Sequence, residues 1–246
     1  MHIDLYDEIR YLPAGDRALV MEFGNTISAE IQSKIRSMML VLTEHPVAGV
    51  VELVPAYRSL MIYYEPLITT WVELCAQLSR LEAGLSLFSL PKPRIIEIPT
   101  VYGGEYGPDL AYVAKYNHVA KEAVVKIHTS VNYLVYMLGF TPGFPYLGGL
   151  PEAIATPRQA VPRTIIPAGS VGIAGEQTGI YPIASPGGWQ LIGRTPLQLY
   201  NPAVTPPVLL QAGDYLRFCQ VSETEYRRIS EQVESGQYKA VIRELE

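Results

Sequence analysis

The stretch from Gly139 to Trp189, GFTPGFPYLGGLPEAIATPRQAVPRTIIPAGSVGIAGEQTGIYPIASPGGW, limits what this chain can fold into more than any other. Seven of its first thirteen residues, Gly139 to Pro151, are Gly or Pro, which rules out a regular helix and requires turns with set φ angles. From Ile127 to Pro202 the only charged residues are Glu152, Arg158, Arg163, Glu176 and Arg194. A segment so poor in solvating charge is expected to be covered, by its own core or by another chain. Each of those five charges is then a candidate for chemistry.

The rest of the composition removes whole classes of function. With 246 residues the chain can bury an ample core as one large domain or two modest ones. A net charge of -5 without any Lys/Arg run argues against a nucleic-acid partner, which needs a clustered basic face. Cys75 and Cys219 show no CxxC spacing, so a disulfide framework is not expected and a reducing cytoplasm fits. The charged N-terminus has no hydrophobic core of a targeting signal, which points the same way. Ile127 to Pro151 lacks Asp, Glu, Lys and Arg, yet its Gly and Pro residues would break a membrane helix.

Read in order, the chain offers a strand from about Arg10, a turn at Pro13 to Asp16, and a strand Ala18 to Phe23. Ser28 is placed to cap a helix with Ile31, Ile35, Met38, Met39 and Leu42 on one face. VVELV and SLMIYYE then predict a hairpin turning at Pro55 to Arg58, and Thr70 with Glu73 a capping box for a second helix facing inward through Leu74, Cys75, Leu78 and Leu81. Strand, helix, two strands, helix is a split pattern, so a ferredoxin-like α+β domain is expected over residues 1–90. The stiff segment Ser89 to Pro93 marks the boundary. Residues 91–246 predict a strand Arg94 to Val101, a short helix with Pro108 at its start and Asp109 in its first turn, and a helix ending near His128. A buried strand from Val131 to Leu138, many short strands and a helix over Glu223 to Val233 complete a mainly β domain.

Several residues in this second domain have chemistry to offer. Gly169, Gly172, Gly175 and Gly179 are spaced to turn amides towards an anion, or to serve tight turns; they lack a Walker ending and open no dinucleotide-type helix. Ala168-Gly169-Ser170-Val171-Gly172 lacks the glycine and the helix of a nucleophile elbow. His2, His45, His118 and His128 form no metal-ligand spacing, so no protein-bound metal is expected. His128 ends a helix, where an imidazolium is favoured, and is equally placed for general acid/base work. Arg158, Arg163 and Arg194 suit bidentate recognition of a carboxylate or phosphate, or of loop carbonyls. Glu176, Gln177, Thr178 and Tyr181 gather a carboxylate, an amide, a hydroxyl and a phenol that can position an amide substrate or satisfy loop backbone. Phe140, Phe144, Tyr146 and Trp189 can pack the core, wall a cleft or, most of all, anchor a second polypeptide.

The runs GFTPGFPYLGGLP, PAGSVGIAG, QTGIYP, SPGGW and IGRTP, with DRALVMEFG at Asp16 and VELVPAYRSLMIYYEP at Val51, resemble the family of the B subunit of bacterial 5-oxoprolinase. That family takes in the sporulation-kinase inhibitor KipI and the first subunit of allophanate hydrolase, and is similar to the carboxyltransferase domain, subdomains C and D, of urea amidolyase. The resemblance implies a cyclophilin-like β-barrel for the second domain and a histidine of the family at the position of His128. It implies a role in ATP-dependent opening of 5-oxoproline to L-glutamate, shared with a KipA-like C subunit and with the A subunit of the enzyme, so that the chain is inactive alone. ATP would then be shared with a partner, with Mg only as its complex. Inhibition of a sensor histidine kinase is the alternative, and a place in an allophanate hydrolase or urea carboxylase-like complex a further one. On this reading His128, Glu176, Gln177 and Tyr181 are the catalytic candidates, and Arg158, Arg163, Arg194, Gly169, Gly172 and Thr178 bind substrate or anion. Phe140, Phe144, Tyr146 and Trp189 face the partner.

Overall fold

A computed structural model describes residues 5–85 and 90–245. The chain divides into two compact units, residues 1–92 and 93–246. Of the stiff segment expected between them, Ser89 lies outside the described residues and Leu90 to Pro93 run without regular structure.

The first unit is a helix layer on a sheet. Strands β1 (Leu5–Pro13) and β2 (Ala18–Gly24) form a hairpin, starting five residues before the expected Arg10. Helix α1 (Ala29–Glu44) opens where the Ser28 hydroxyl accepts the Ile31 N–H, satisfying an amide that has no partner inside the helix. After β3 (Val50–Pro55) and β4 (Ser59–Tyr64), helix α2 (Trp71–Ala83) begins with the expected Thr70–Glu73 capping box. The sheet is antiparallel in the order β1-β2-β4-β3. Its inner face, Leu19, Met21, Phe23, Leu60 and Ile62, packs on Ile31, Ile35 and Met38 of α1 and Leu74 and Leu78 of α2. Each such side chain contributes roughly 1.5–3 kcal/mol by leaving water.

The second unit is a mixed α/β body around a nearly closed, barrel-like sheet. Strand β5 (Arg94–Tyr102) is followed by helices α3 (Leu110–Tyr116) and α4 (Lys121–Thr129), then β6 (Tyr133–Leu138), β7 (Pro145–Gly148) and a 3-10 turn at Glu152–Ile154. Strands β8 (Arg163–Ile166), β9 (Ser170–Ala174), β10 (Gln177–Ile180), β11 (Ser185–Gly187), β12 (Gln190–Arg194) and β13 (Tyr215–Gln220) lead to helix α5 (Glu223–Glu234) and β14 (Ile242–Glu244). The main path runs β10-β9-β12-β5-β13-β6-β7, parallel only between β5 and β13, and its two end strands lie side by side. β8 and β11 form a separate two-stranded arm. α3 begins at Leu110, two residues later than the expected Pro108, because Asp109 is its cap and directs its carboxylate elsewhere. β14, which the sequence did not signal, pairs antiparallel with the first residues of β5.

Inside the sheet, Ile96, Ile98, Val135, Val171, Ile173, Ile180, Ile192, Leu216 and Phe218 make one core. Arg94 grips Asp214 with two parallel bonds of 2.9 and 2.6 Å, tying the starts of β5 and β13. Strand alternation divides β10 between two environments: Thr178 and Ile180 point inward, whereas Gly179 and the adjoining Tyr181 face out.

Candidate functional site

The outward side of the β9–β10 hairpin carries an aromatic wall. Gly172 and Gly179 are direct partners across the hairpin, and without side chains they let Trp189 lie down on the strands. A Cβ at Gly179 would meet the Trp189 ring at 3.0 Å and Phe144 at 3.3 Å. Phe144 stands at the centre, edge-on to Tyr146, Tyr181 and Trp189 with ring centroids 5.4, 5.5 and 5.6 Å away. Such T-shaped pairs set positive ring edges against negative faces and hold one packing. Ile166, Ala174 and Leu191 close the cluster from behind.

Between this wall and the β8–β11 arm opens a cleft of about 350 Å³ lined by Phe140, Tyr146, Arg158, Pro162, Tyr181 and Trp189, among others. That size and apolar lining with few polar groups is typical of small-molecule sites. The Tyr181 phenol lies over Gly187, where a Cβ would come within 2.4 Å of the hydroxyl. Its hydroxyl has no hydrogen-bond partner among the described residues. Burial pushes its pKa up to about 12, although Arg158 and Arg163 pull the other way, so the phenol keeps its proton and can donate. A groove of similar volume in the first unit carries Lys34 together with Glu30 and Glu82 and therefore offers no net cation.

Arg158 is exposed at the cleft and forms no ion pair with any described residue. The loop that carries it is nevertheless tightly held. Gln159 N–H donates to the Gly188 carbonyl at 2.7 Å, and the Gln190 amide donates to the Pro157 carbonyl at 2.9 Å. Arg163 donates to Asp109 at 2.8 Å and to the Trp189 carbonyl at 3.3 Å. At the rim, Phe140 is 64% exposed with φ at 63°, a left-handed backbone that costs a non-glycine residue energy. Val161 and Ile165 extend the exposed apolar rim along the loop and arm.

The other expected site residues lie elsewhere. His128 is fully enclosed in the barrel core, not at the cleft. The Tyr102 hydroxyl donates to its Nδ1 at 2.8 Å, its Nε2–H donates to Thr178 at 2.9 Å, and Thr178 donates onward to the Gly172 carbonyl at 3.0 Å. That proton order requires a neutral ring, and burial lowers the His128 pKa to about 3. His128 thus lies away from the cleft lining and shut off from solvent, and so does Thr178, expected as an anion ligand. Glu176 sits exposed at the tip of the β9–β10 hairpin and Gln177 half-buried at the start of β10, neither lining the cleft. Arg194 lies beside the ring of Tyr106, 5.7 Å from its centroid, away from the lining. Gly169 turns with φ at 78° against the Thr195 carbonyl and gives its N–H to Tyr181, while Gly172 lies beneath Trp189, so neither cradles an anion. Arg163 is engaged by Asp109. Asp109 was missed as a site residue because its partners, Gln159, Arg163 and Leu191, lie far along the chain, where no local spacing can announce them.

Comparison with known proteins shows the family of the chain. Residues 9–210 match the carboxyltransferase domain family, subdomains C and D. The chain is 43% identical over 232 residues to the B subunit of 5-oxoprolinase from Bacillus subtilis, covering 89% of this chain and 95% of that protein. It is 48% identical over 207 residues to the B subunit of 5-oxoprolinase from Haemophilus influenzae, covering 84% and 95%. The crystal structure of TTHA0988 superposes with a TM-score of 0.74 at 37% identity, over 84% of this chain and 40% of that longer one. Urea amidolyase of Lachancea kluyveri is more distant, 28% identical over 98% of this chain and 15% of that protein. The chain therefore belongs to the family of the 5-oxoprolinase B subunit, within the carboxyltransferase-domain group of subdomains C and D.

Proposed function

We propose that this chain is the B subunit of an ATP-dependent 5-oxoprolinase and that the aromatic cleft binds 5-oxoproline. The observation that carries the reading is a free guanidinium and a protonated phenol at one apolar cleft. 5-Oxoproline is a small ring with a carboxylate and a lactam carbonyl. Arg158 takes the carboxylate in a bidentate pair, the ring lies among Tyr146, Phe144 and Trp189, and the Tyr181 hydroxyl donates to the lactam oxygen. A lactam is a poor electrophile. Transfer of the ATP γ-phosphoryl group to its oxygen, releasing ADP, makes the carbon ready for water, whose attack breaks the ring C–N bond and releases phosphate, leaving glutamate. The amides expected to meet a phosphate are engaged in turns and packing, so ATP and its Mg are held largely by the C subunit, and water attack completes with the A subunit. What this chain contributes is binding, orientation and a hydrogen bond to the reacting oxygen.

The exposed rim of Phe140, Val161 and Ile165 supports a protein partner closing the cleft. In this reading the first unit is ferredoxin-like, the second a cyclophilin-like barrel, and the complex is cytoplasmic. The test is 5-oxoproline-dependent ATP hydrolysis by the chain alone and after mixing with both other 5-oxoprolinase subunits. Activity only in the mixture supports the reading; full activity of the isolated chain contradicts it.

A further inference from the structure

We propose that Asp109 is a positioning residue for Arg158, holding the loop from Pro157 to Arg163 so that a free guanidinium faces the cleft; this rests on the reading of the cleft as a carboxylate site. Asp109 stands at the cap of α3 but makes no capping bond with its side chain. One carboxylate oxygen instead accepts from Arg163 at 2.8 Å and Gln159 at 3.3 Å, and the other accepts the Leu191 N–H at 2.7 Å. Gln159 and Arg163 flank the exposed residues Ala160 to Pro162, Arg158 directly precedes Gln159, and Leu191 follows the cleft-wall residue Trp189 by two positions. A single carboxylate thus links loop and wall through side chains, beside the Gln159–Gly188, Gln190–Pro157 and Arg163–Trp189 bonds.

The loop has no regular structure between Pro157 and Pro162, so it is held by these side-chain contacts together with the Gln159–Gly188 and Gln190–Pro157 bonds. With its backbone fixed at Pro157 and Gln159, Arg158 is the one charged side chain of the segment left without an ion pair among the described residues. A preorganised cation binds an anion without first losing the entropy of ordering its loop, so slackening the clamp weakens binding more than it slows chemistry. Asn cannot replace Asp109. Its amide has one acceptor and one donor, so a donor must face either the Leu191 N–H or the Arg163 guanidinium.

The test is a double-mutant cycle in the assembled complex, reading KM for 5-oxoproline and kcat separately. Asp109→Asn is expected to raise KM about tenfold with kcat within about twofold, and to add nothing further in an Arg158→Ala background. Equal effects of Asp109→Asn with and without Arg158, or a fall in kcat at unchanged KM, overturn the proposal while leaving the cleft reading standing. An Arg158→Ala variant with unchanged KM overturns both. Should Asp109→Asn fail to fold, Gln159→Ala loosens the same clamp at its weaker contact. It is expected to raise KM about threefold, again only when Arg158 is present, and an additive effect there overturns the proposal equally.

Discussion

The two sides of strand β10 have nearly the same sequence resources and opposite fates. Inward, Thr178 joins Tyr102 and His128 in a chain of hydrogen bonds that ends on the Gly172 carbonyl, with His128 and Thr178 shut off from solvent and Tyr102 part-buried. Outward, Gly179 and Tyr181 face aromatic rings and an open cleft where Arg158 and a phenol are left unanswered among the described residues. Satisfied polar groups specify a core, whereas unsatisfied ones beside an apolar cavity are what a ligand can use. Residue type alone does not separate the two sides, because histidine is the better acid/base and yet it lies on the sealed inner side.

The strongest way to break this contrast is at His128. Replacing it by Ala removes a core ring, leaves the Tyr102 hydroxyl without its acceptor and leaves Thr178 only its bond to the Gly172 carbonyl, with an expected cost of about 3 kcal/mol in chemical denaturation. KM for 5-oxoproline should be unchanged in whatever complex assembles, and a large KM effect at preserved stability would return His128 to the site. The same residue predicts a pH dependence. Burial holds His128 neutral with its pKa lowered from 6.5 to about 3, so as pH falls the unfolded chain takes up the proton first. Its contribution to stability is full above pH 6.5 and declines between 6.5 and about 3, a loss of about 2 kcal/mol from pH 7.5 to 5. The His128→Ala variant should lose that part of the slope.

A smaller effect sharpens the outer side. Phe140 holds a left-handed backbone with its side chain largely exposed and its ring edge-on to Phe144 at the cleft rim, a local strain. Phe140→Gly should stabilise the isolated chain by up to about 1 kcal/mol while weakening association with the C subunit by about fivefold. Stabilisation without any loss of association would remove Phe140 from the partner surface.

Local physics made most of the elements legible. Ser28 and the Thr70–Glu73 box marked both helix starts in the first unit, and the glycine and proline spacing announced short strands in the second. β14 escaped because three exposed residues at a strand edge leave no periodic signal. At the site, the four aromatics and Tyr181 were legible as candidates because they fall in the charge-poor stretch. In the sequence Tyr181 groups with Glu176, Gln177 and Thr178, whereas the structure packs it against Phe144 and Trp189. Asp109 was not legible, since its role depends on Arg163, 54 positions away in the chain. The burial of His128 was not legible either, because a helix end before an apolar strand looks the same whether the ring is later sealed or left open.

The most direct test of the outer face as the working one uses Trp189. With Trp71→Phe, Trp189 is the only tryptophan left of the two in the chain, and it forms the cleft wall. Titrating 5-oxoproline should change its emission saturably, in about the millimolar range for a half-built site, and 2-pyrrolidinone, which has no carboxylate, should not. Emission that stays flat, or a response that survives Arg158→Ala intact, contradicts the account.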